Sequence, residues 1–359
     1  MLQVENWSGW SDKATNFEAK RDIVSRLVHG HRMTDPEVTI AIITYRRPGT
    51  LRRALDSALA QDFTGRLEIL VVDDSGSDQA DWQETDDLLR DYCERFDNIA
   101  YYRHDRNLGQ YDNWNRACEL CASPYYGMLH DDGWLQPNYV STLMRATDQY
   151  NSSHKKQLGI VGSWYRTAME TPGEVRKEGL LQKLISLFLR LRRGRLIGLS
   201  MSDHVNYIFP ASPGMFINRK CMLDIGGLDD HYFPSADFVV CAKMTRYHAT
   251  GFLPVALSVN GVEGDAESLK QEVCDDSIRA GYHLSDAIAA DMGAGERRRR
   301  RIASRAAVFA EIGVRGYNNV DYSGVKRGLK MSNLYNNKAV IGVLNLYSKA
   351  RWGVLLLRK

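Results

Sequence analysis

Two neighbouring carboxylates, Asp131 and Asp132, end an apolar and aromatic run in the stretch YYGMLHDDGWLQP, residues 125–137. Like charges side by side at the end of a buried strand are costly unless a positive group lies between them and a ligand. Carboxylate oxygens suit Mg²⁺ or Mn²⁺, and such a cation neutralises the adjacent phosphates of a nucleoside diphosphate. The pair therefore predicts a metal site that holds a diphosphate.

Polar residues also follow two other predicted strands. The apolar runs VTIAIIT over 38–44 and LEILVV over 67–72 are typical of strands buried on both faces of a parallel sheet, and they lead into Thr44 and Asp74. Alternating strand and helix patterns in the first 150 residues predict a doubly wound α/β sheet. Ligands of such sheets bind beyond the carboxyl ends of the strands. We therefore expect Thr44, Asp74, Asp131 and Asp132 to share one crevice.

Four segments occur in the order and spacing of a known family: TIAIITYRRPGTLRRALDSALAQ, LEILVVDDSGSD, NLGQYDNWNRA and YYGMLHDDGWL. The chain resembles a family 2-type inverting glycosyltransferase with the GT-A fold, closely over 38–135 and more loosely over 212–257. The resemblance implies a Rossmann-like, mostly parallel sheet flanked by helices, with a helical C-terminal extension. It also implies a nucleotide-sugar donor and a Mg²⁺ or Mn²⁺ cofactor.

The resemblance assigns the base and ribose side of the donor site to residues after the first two strands. Thr44 and Tyr45 match residues that line the nucleobase pocket, and Asp74 matches the carboxylate that reads the base edge. Arg47 matches a phosphate or ribose contact. From the residues alone, Tyr45 as a surface aromatic and Asp74 in a solvated turn stay open as alternatives.

The sugar and phosphate side of the donor site is assigned in the same way. Asn107 and Gly109 match the N-x-G turn, which lets the backbone approach the donor. Asp131 matches the residue that touches ribose or sugar, and Asp132 matches the metal ligand.

An acceptor-side segment is recognised between residues 212 and 252. There Asp237 stands where the family has its catalytic base, after the Gly226-Gly227 turn. An inverting transfer needs one carboxylate to take the proton from the attacking hydroxyl. We expect Ser235 to cap the helix that carries Asp237. The nearby acids Asp224, Asp229 and Asp230 remain alternatives for this role.

Three departures from the family pattern concern the metal and the base. His130 stands where the family often has another Asp, and Asp237 follows Ala236 rather than an acid. The late segment SVNGVEGDAESL lacks the His that often completes the metal site, so Glu263 or a water would replace it.

Composition bounds the remaining possibilities. The 359 residues carry a net charge of +3, too small to indicate a nucleic-acid partner, and we expect none. Of the six cysteines only Cys118 and Cys121 form a C-x-x-C, and no second pair completes a zinc site. Residues 1–30 hold no apolar signal core, which predicts a cytoplasmic location. The sequence contains no run of about 18 apolar residues, so we do not expect a membrane-spanning helix.

The predicted organisation has three parts. Residues 1–37 form an N-terminal arm, and 38–265 form the GT-A domain, divided into a donor half at 38–135 and an acceptor half at 136–265. Residues 266–359 form a helical, basic C-terminal region. A basic, leucine-rich insertion occupies 176–205.

Three basic segments have more than one interpretation. The stretch at 180–200 and the tail at 340–359 are either ordinary amphipathic helices or helices that lie on the inner face of an anionic membrane. The run ERRRRR at 296–301 is a solvated face, a patch that attracts phosphate or, as a third choice, a contact for nucleic acid.

The resemblance, together with these patterns, implies a metal-dependent inverting glycosyltransferase. It would transfer a hexosyl or deoxyhexosyl group from a nucleotide sugar to a hydroxyl of a glycan or lipid-linked oligosaccharide, in bacterial surface polysaccharide synthesis. The alternative is a non-catalytic module that binds a nucleotide sugar or glycan on a degenerate GT-A fold. A nucleotide-dependent oxidoreductase is disfavoured because no G-x-G-x-x-G follows the first strand.

Overall fold

The computed structural model describes residues 7, 9–13, 15–18, 20–76, 79–169, 195–206, 209, 212, 214–262, 270–314 and 322–357. The predicted insertion at 176–205 is therefore described only from residue 195, and Glu263 lies outside the described residues. The strands are β1 Ser25–Gly30, β2 Val38–Thr44, β3 Leu67–Asp73, β4 Ile99–His104, β5 Tyr125–His130, β6 Trp134–Leu135, β7 Leu158–Met169, β8 Ile197–Leu199, β9 Phe216–Asn218 and β10 Ala249–Val262. The helices are α1 Pro48–Leu59, α2 Gln79–Arg95, α3 Gln110–Leu120, α4 Tyr139–Ser153, α5 Met201–His204, α6 Arg219–Asp224, α7 Ala236–Tyr247, α8 Gln271–Asp291, α9 Glu296–Val314, α10 Ser323–Gly328 and α11 Lys338–Leu357.

These strands form one mixed sheet in the order β1-β4-β3-β2-β5-β9-β7-β10-β6, with β8 beside β10. The pairs β2 with β3, β3 with β4, and β2 with β5 are parallel, as the apolar runs predict. The chain moves outward from β2 through β3 to β4 and then returns to the other side of β2 for β5. This reversal places a topological switch point between the carboxyl ends of β2 and β5.

The sheet is buried on both faces because helices cover each of them. All seven residues of β2 are buried, and they alternate between two core clusters: Ala41 and Ile43 face one, while Val38, Ile40 and Ile42 face the other. This alternation follows from the two-residue period of a strand. The result is a rigid frame for the residues at the strand ends.

The predicted N-terminal arm packs against this frame. Within it, β1 adds an antiparallel edge strand beside β4. Trp7, Trp10 and Phe17 are buried in the same core cluster as residues of α7 and α8. The Trp10 indole donates a 3.2 Å hydrogen bond to Asp291 at the end of α8.

The C-terminal helices have their own apolar cluster, which includes Cys274, Ile278, Ala307 and Val308 of α8 and α9. Other residues of α8, among them Leu284 and Ile288, belong to the core of the sheet domain. The C-terminal region is thus joined to the sheet domain through α8. Within the described part of the chain, no helix combines the length and apolar character needed to cross a membrane.

Candidate functional site

The predicted donor-site residues meet at the carboxyl ends of β2, β3 and β5. The Asp74 amide donates a 3.0 Å hydrogen bond to the Thr44 carbonyl, and the Asp131 amide donates a 3.2 Å hydrogen bond to the Ile43 carbonyl. These bonds extend the parallel pairing by one step beyond the strands. The loops after all three strands therefore start side by side at the switch point.

Asp131 is held by the loop after β2. Its Oδ2 accepts a 2.8 Å hydrogen bond from the Thr44 hydroxyl and a 3.2 Å hydrogen bond from the Tyr45 amide. Burial raises the pKa of Asp131 to about 7, and the Asp132 charge adds to this effect. A positive charge next to Asp131 would therefore stabilise the ionised form of its carboxyl group.

Arg47 supplies part of that positive charge. Its Nη1 lies 3.9 Å from Asp131 Oδ1 and 3.8 Å from Asp132 Oδ2, so it faces both carboxylates. The backbone carbonyl of Asp132 accepts a 2.9 Å hydrogen bond from Arg53, whose guanidinium lies over the Trp134 ring. The sequence pattern gave no indication of Arg53, which fixes the loop that carries Asp132.

The carboxylate of Asp132 is suited to hold a cation. Its Oδ1 is buried and has no hydrogen-bond partner in the described structure, and such an atom needs a ligand. The described residues contain no group of three His, Cys, Asp or Glu side chains arranged around one ion. Mg²⁺ is commonly held by one or two carboxylates together with substrate phosphates. Asp132 with Asp131 therefore fits a cation that arrives with a diphosphate.

His130 is the last residue of β5 and directly precedes this pair. Its ring contacts Trp114 edge to face, with 4.9 Å between the ring centroids. Burial lowers its pKa, so the imidazole is neutral at pH 7. His130 therefore adds no positive charge to the neighbouring carboxylates.

Asp74 organises the N-x-G turn. Its carboxylate accepts hydrogen bonds from Asn107 Nδ2 at 2.9 Å, from the Leu108 amide at 2.5 Å and from the Gly109 amide at 2.9 Å. Gly109 has a φ of 85°, which a glycine adopts without strain. The structure thus joins Asp74, Asn107 and Gly109, and the buried carboxylate does not lie in a solvated turn.

Burial raises the pKa of Asp74 to about 7, while the amide hydrogen bonds lower it. Lys20, from the N-terminal arm, also lies close: it donates to the Leu108 carbonyl and forms a 2.7 Å ion pair with Asp112. The sequence pattern did not single out Lys20. Its role depends on tertiary contact with a turn almost 90 residues away.

Asp73 and Tyr45 differ from these residues in their surroundings. Asp73 is fully buried and accepts hydrogen bonds from Ser75 and from the Tyr101 hydroxyl, so its contacts are structural. The Tyr45 side chain is 44% exposed, and the Arg46 guanidinium lies 4.8 Å from its ring centroid. Tyr45 therefore follows Thr44 as an exposed aromatic ring at the margin of the crevice.

Asp237 lies in the first turn of α7 and is half-buried. Its Oδ1 accepts a 3.0 Å hydrogen bond from the Phe238 amide. Burial raises its pKa to about 6, and a hydrogen bond with Ser212 acts in the opposite direction. A carboxyl with this pKa is poised to take up a proton near neutral pH.

The predicted capping of α7 is only half right. Ser235 does occupy the N-cap position, but its side chain makes no capping hydrogen bond and its buried hydroxyl has no partner in the described structure. Its backbone has ψ near 23° rather than the extended value that usually directs the side chain to the helix amides. Asp237 is therefore positioned by its own hydrogen bonds.

Asp237 is connected to the donor side through the segment before β9. Ser212 bonds to Asp237, and the Met215 carbonyl accepts a 2.9 Å hydrogen bond from the Met128 amide, three residues before Asp131. The same carbonyl accepts a hydrogen bond from the Tyr139 hydroxyl. This short segment links the start of α7 to β5.

The competing acids have other contacts. Asp224 pairs with Lys13 at 2.7 Å and with His248 at 2.8 Å on the surface. Asp229 accepts a hydrogen bond from the His231 amide at the start of a 3₁₀ turn. Partial desolvation of the Asp230 carboxyl, together with the charge of Asp112, raises its pKa.

Comparison with known proteins identifies the fold. The fold is the GT-A fold: it is similar to that of S. aureus TarS 1-349 in complex with UDP-GlcNAc, with a TM-score of 0.56, 13% identity, and coverage of 89% of this chain and 90% of that one. It is also similar to mannosyltransferase PcManGT from Pyrobaculum calidifontis in complex with GDP-Man and Mn²⁺, with a TM-score of 0.50, 13% identity, and coverage of 92% and 89%.

The family follows from the sequence itself. The profile described as Glycosyl transferase family 2 matches residues 39–206 of this chain. A curated relative, the GalNAc(5)-diNAcBac-PP-undecaprenol beta-1,3-glucosyltransferase of Campylobacter jejuni, is 26% identical over 158 residues, which are 42% of this chain and 49% of that protein. The chain spans 17%, 49% and 24% of the lengths of three curated bacterial relatives. The predicted family and fold class are confirmed.

Proposed function

We propose that this chain is a metal-dependent inverting glycosyltransferase. It transfers a hexosyl or deoxyhexosyl group from a nucleotide sugar to a hydroxyl of a glycan or lipid-linked oligosaccharide, in the synthesis of a bacterial surface polysaccharide. The glycosyltransferase family of residues 39–206 supports the reaction class. The lipid-linked substrate in the name of the Campylobacter relative supports the acceptor class.

The observation that carries the proposal is the buried, unpartnered Oδ1 of Asp132 beside Asp131 and Arg47. Asp132 would hold the cation, with Asp131 next to it. When bound, a divalent cation neutralises the charge that develops on the departing diphosphate. Arg47 faces the same two carboxylates, and its guanidinium is suited to bind phosphate oxygens.

The other donor contacts follow from the positions of the loops. Thr44 and Tyr45 orient Asp131 through two hydrogen bonds, and we assign them to the nucleobase pocket. Asp74 is assigned to the base edge, and it also holds the turn in which Asn107 and Gly109 approach the donor. Asp131 is assigned to the ribose or the sugar.

Asp237 is assigned as the base. Its carboxylate takes the proton from the acceptor hydroxyl while that oxygen attacks the anomeric carbon from the face opposite the leaving diphosphate. The bond from the anomeric carbon to the diphosphate oxygen breaks as the new glycosidic bond forms. A pKa of about 6 leaves Asp237 mostly ionised at pH 7 and still basic enough to accept this proton.

The proposal includes contact with the inner face of a membrane through the C-terminal tail. In the described part of this tail, Val343 and Leu346 are 64% and 62% exposed. Apolar side chains of a basic segment can lie in the headgroup region of an anionic bilayer.

The experiment is a thermal-shift screen of the full chain against a panel of nucleotide sugars, with Mn²⁺ and with EDTA, followed by an assay for donor hydrolysis and transfer. A ligand that binds only the folded state raises the melting temperature, so we expect one donor to do so in Mn²⁺. Metal-dependent donor hydrolysis supports the enzyme. Donor binding without hydrolysis or transfer to any acceptor would instead identify the non-catalytic binding module.

A further inference from the structure

A cavity of about 370 Å³ lies between α5, the end of α8 and the first half of α9. Its described lining combines the apolar side chains of Val205, Met292 and Ile302 with polar groups of Ser202 and Asn206. Three arginines complete it: Arg298, Arg301 and Arg305. Donor-site residues do not line it in the described structure, and the proposed function makes no use of it.

The spacing of the arginines explains how they reach one cavity. Arg298, Arg301 and Arg305 are three and four residues apart on α9, so they share one face of the helix. The run of five arginines at 297–301 is therefore divided between faces. Arg299 pairs with Asp286 of α8, and Arg300 pairs with Glu296 one turn earlier, so these two are neutralised by acids outside the cavity.

The described lining of the cavity contains no acid that would act in the same way. No Asp or Glu lines it, and Arg298 and Arg301 form no ion pair within the described part of the chain. Asp291, at the end of α8, is bound to Trp10 and to Arg246 at 2.9 Å. Arg305 is oriented by a hydrogen bond to Asn206 and by the Tyr347 ring, 5.7 Å from its guanidinium.

We propose that this cavity binds the phosphate or diphosphate group of a ligand other than the donor. Three guanidinium groups on one helix face, next to hydroxyl and amide groups, provide donors in the planar geometry that phosphate oxygens accept. A bound phosphate would relieve the mutual repulsion of the arginines. The apolar part of the lining would contact the group that carries the phosphate.

The test uses isothermal titration of the full chain with sodium pyrophosphate in EDTA. We expect the wild type to bind it with an affinity that falls as salt increases. Arg298→Glu with Arg301→Glu should lower the affinity at least tenfold. Arg297→Glu with Arg300→Glu is the matched control, because it makes the same charge change at the same spacing on α9 but outside the cavity lining. It should stay within threefold of wild type.

A further variant separates this site from the donor site. Arg47→Gln removes the cation with which the proposed donor site would hold pyrophosphate in EDTA, so it should leave the pyrophosphate affinity unchanged, even if the proposed glycosyl transfer fails. Pyrophosphate binding that is absent in the wild type, equally weakened in both arginine pairs, or abolished by Arg47→Gln would overturn the proposal. A melting curve of each variant verifies folding, and Arg298→Gln with Arg301→Gln provides a milder substitution if the glutamates prevent it.

Vesicle binding distinguishes two sources of the phosphate. If the ligand is a lipid headgroup, phosphatidylglycerol vesicles should bind the wild type and the control pair but not the Arg298→Glu, Arg301→Glu pair, and phosphatidylcholine vesicles should bind none. If the ligand is a soluble phosphorylated molecule, pyrophosphate binding should depend on Arg298 and Arg301 while vesicle binding does not. Both results support a phosphate site. If the Arg298→Glu, Arg301→Glu pair keeps both pyrophosphate binding and vesicle binding, the proposal is wrong.

Discussion

The Thr44 hydroxyl donates a 2.8 Å hydrogen bond to Asp131, a carboxylate 87 residues further along the chain. Thr44 ends β2 and Asp131 follows β5, so this bond crosses the switch point of the sheet. It fixes the carboxylate on the side of the loop that carries Tyr45 and Arg47. The proposed donor site is therefore built by the topology of the sheet, and Asp132 Oδ1 lies beside it without a hydrogen-bond partner among the described residues.

Replacing Asp132 tests the metal assignment. Asp132→Asn keeps the size of the side chain but removes the charge, so Mn²⁺-dependent affinity for the donor should fall at least about tenfold. The measurement is titration of a nucleoside diphosphate in Mn²⁺ and in EDTA. Asp91→Asn, which changes an exposed aspartate paired with Arg95 on α2, is the control. Unchanged Mn²⁺-dependent affinity in Asp132→Asn would contradict the assignment.

Much of the fold was predictable because the central strands are continuous apolar runs. VTIAIIT and LEILVV correspond to β2 and β3 almost residue for residue. The strand SRLVHG was not predicted, because β1 is an edge strand in which half-buried and exposed residues replace the continuous apolar pattern. Edge strands depend on their partner more than on their own sequence.

The candidate site was predictable to a similar extent. The positions after the strand ends could be found, since the carboxyl ends of parallel strands meet at one edge. The roles of Lys20 and Arg53 could not, because each acts through a contact with a distant loop. The cap of α7 was half right, since residue type predicts the N-cap position but not the backbone angles that aim the Ser235 hydroxyl.

Asp74→Asn tests the anchoring of the N-x-G turn. An amide side chain offers one acceptor oxygen where the carboxylate receives donors from Asn107, Leu108 and Gly109. We expect a loss of about 1–3 kcal/mol in the free energy of unfolding, because buried donors lose their acceptor. Urea denaturation measures this loss. Asp87→Asn, on the exposed surface of α2, should change it by less than about 0.5 kcal/mol.

The stabilities of the wild type and of Asp74→Asn should also depend differently on pH. The pKa of Asp74 is raised to about 7 when folded, against about 3.9 in an unfolded chain. The folded state holds a proton that the unfolded state releases, so this contribution is full below about pH 4 and is lost as the pH rises through about 7. The stability difference between wild type and Asp74→Asn should therefore be larger at pH 5 than at pH 8. A difference that grows with pH would show that the carboxyl is charged when folded.

Asp237→Asn tests the base. Donor binding should be retained, while the rate of transfer falls by a factor of about 10² to 10⁴, because an amide does not take up the proton. Asp230→Asn is the matched control, since it removes a carboxyl from the same segment. If Asp230→Asn abolishes transfer and Asp237→Asn does not, Asp230 is the base and the assignment of Asp237 is wrong.

The pH profile of transfer offers a second test of Asp237. Its carboxylate must be ionised to act as the base, and burial raises its pKa to about 6. The rate should therefore fall about tenfold for each pH unit below about 6 and level off above it. The measurement is kcat/KM for the acceptor, at a saturating concentration of the donor, between pH 4.5 and pH 8. A rate that is constant down to pH 5 would exclude a base with this pKa.

A buried ion pair in the C-terminal helices provides the last prediction. Lys326 Nζ lies 2.7 Å from Glu311 Oε2, and the side chains are 2% and 0% exposed. Lys326→Met leaves the carboxylate buried without its cation, so we expect a loss of about 3–5 kcal/mol in the free energy of unfolding. The double change Lys326→Met with Glu311→Leu removes both charges and should recover most of this loss. Thermal and urea denaturation of the three proteins measure the difference, and a double variant as unstable as the single one would show that packing, not the unpaired charge, is responsible.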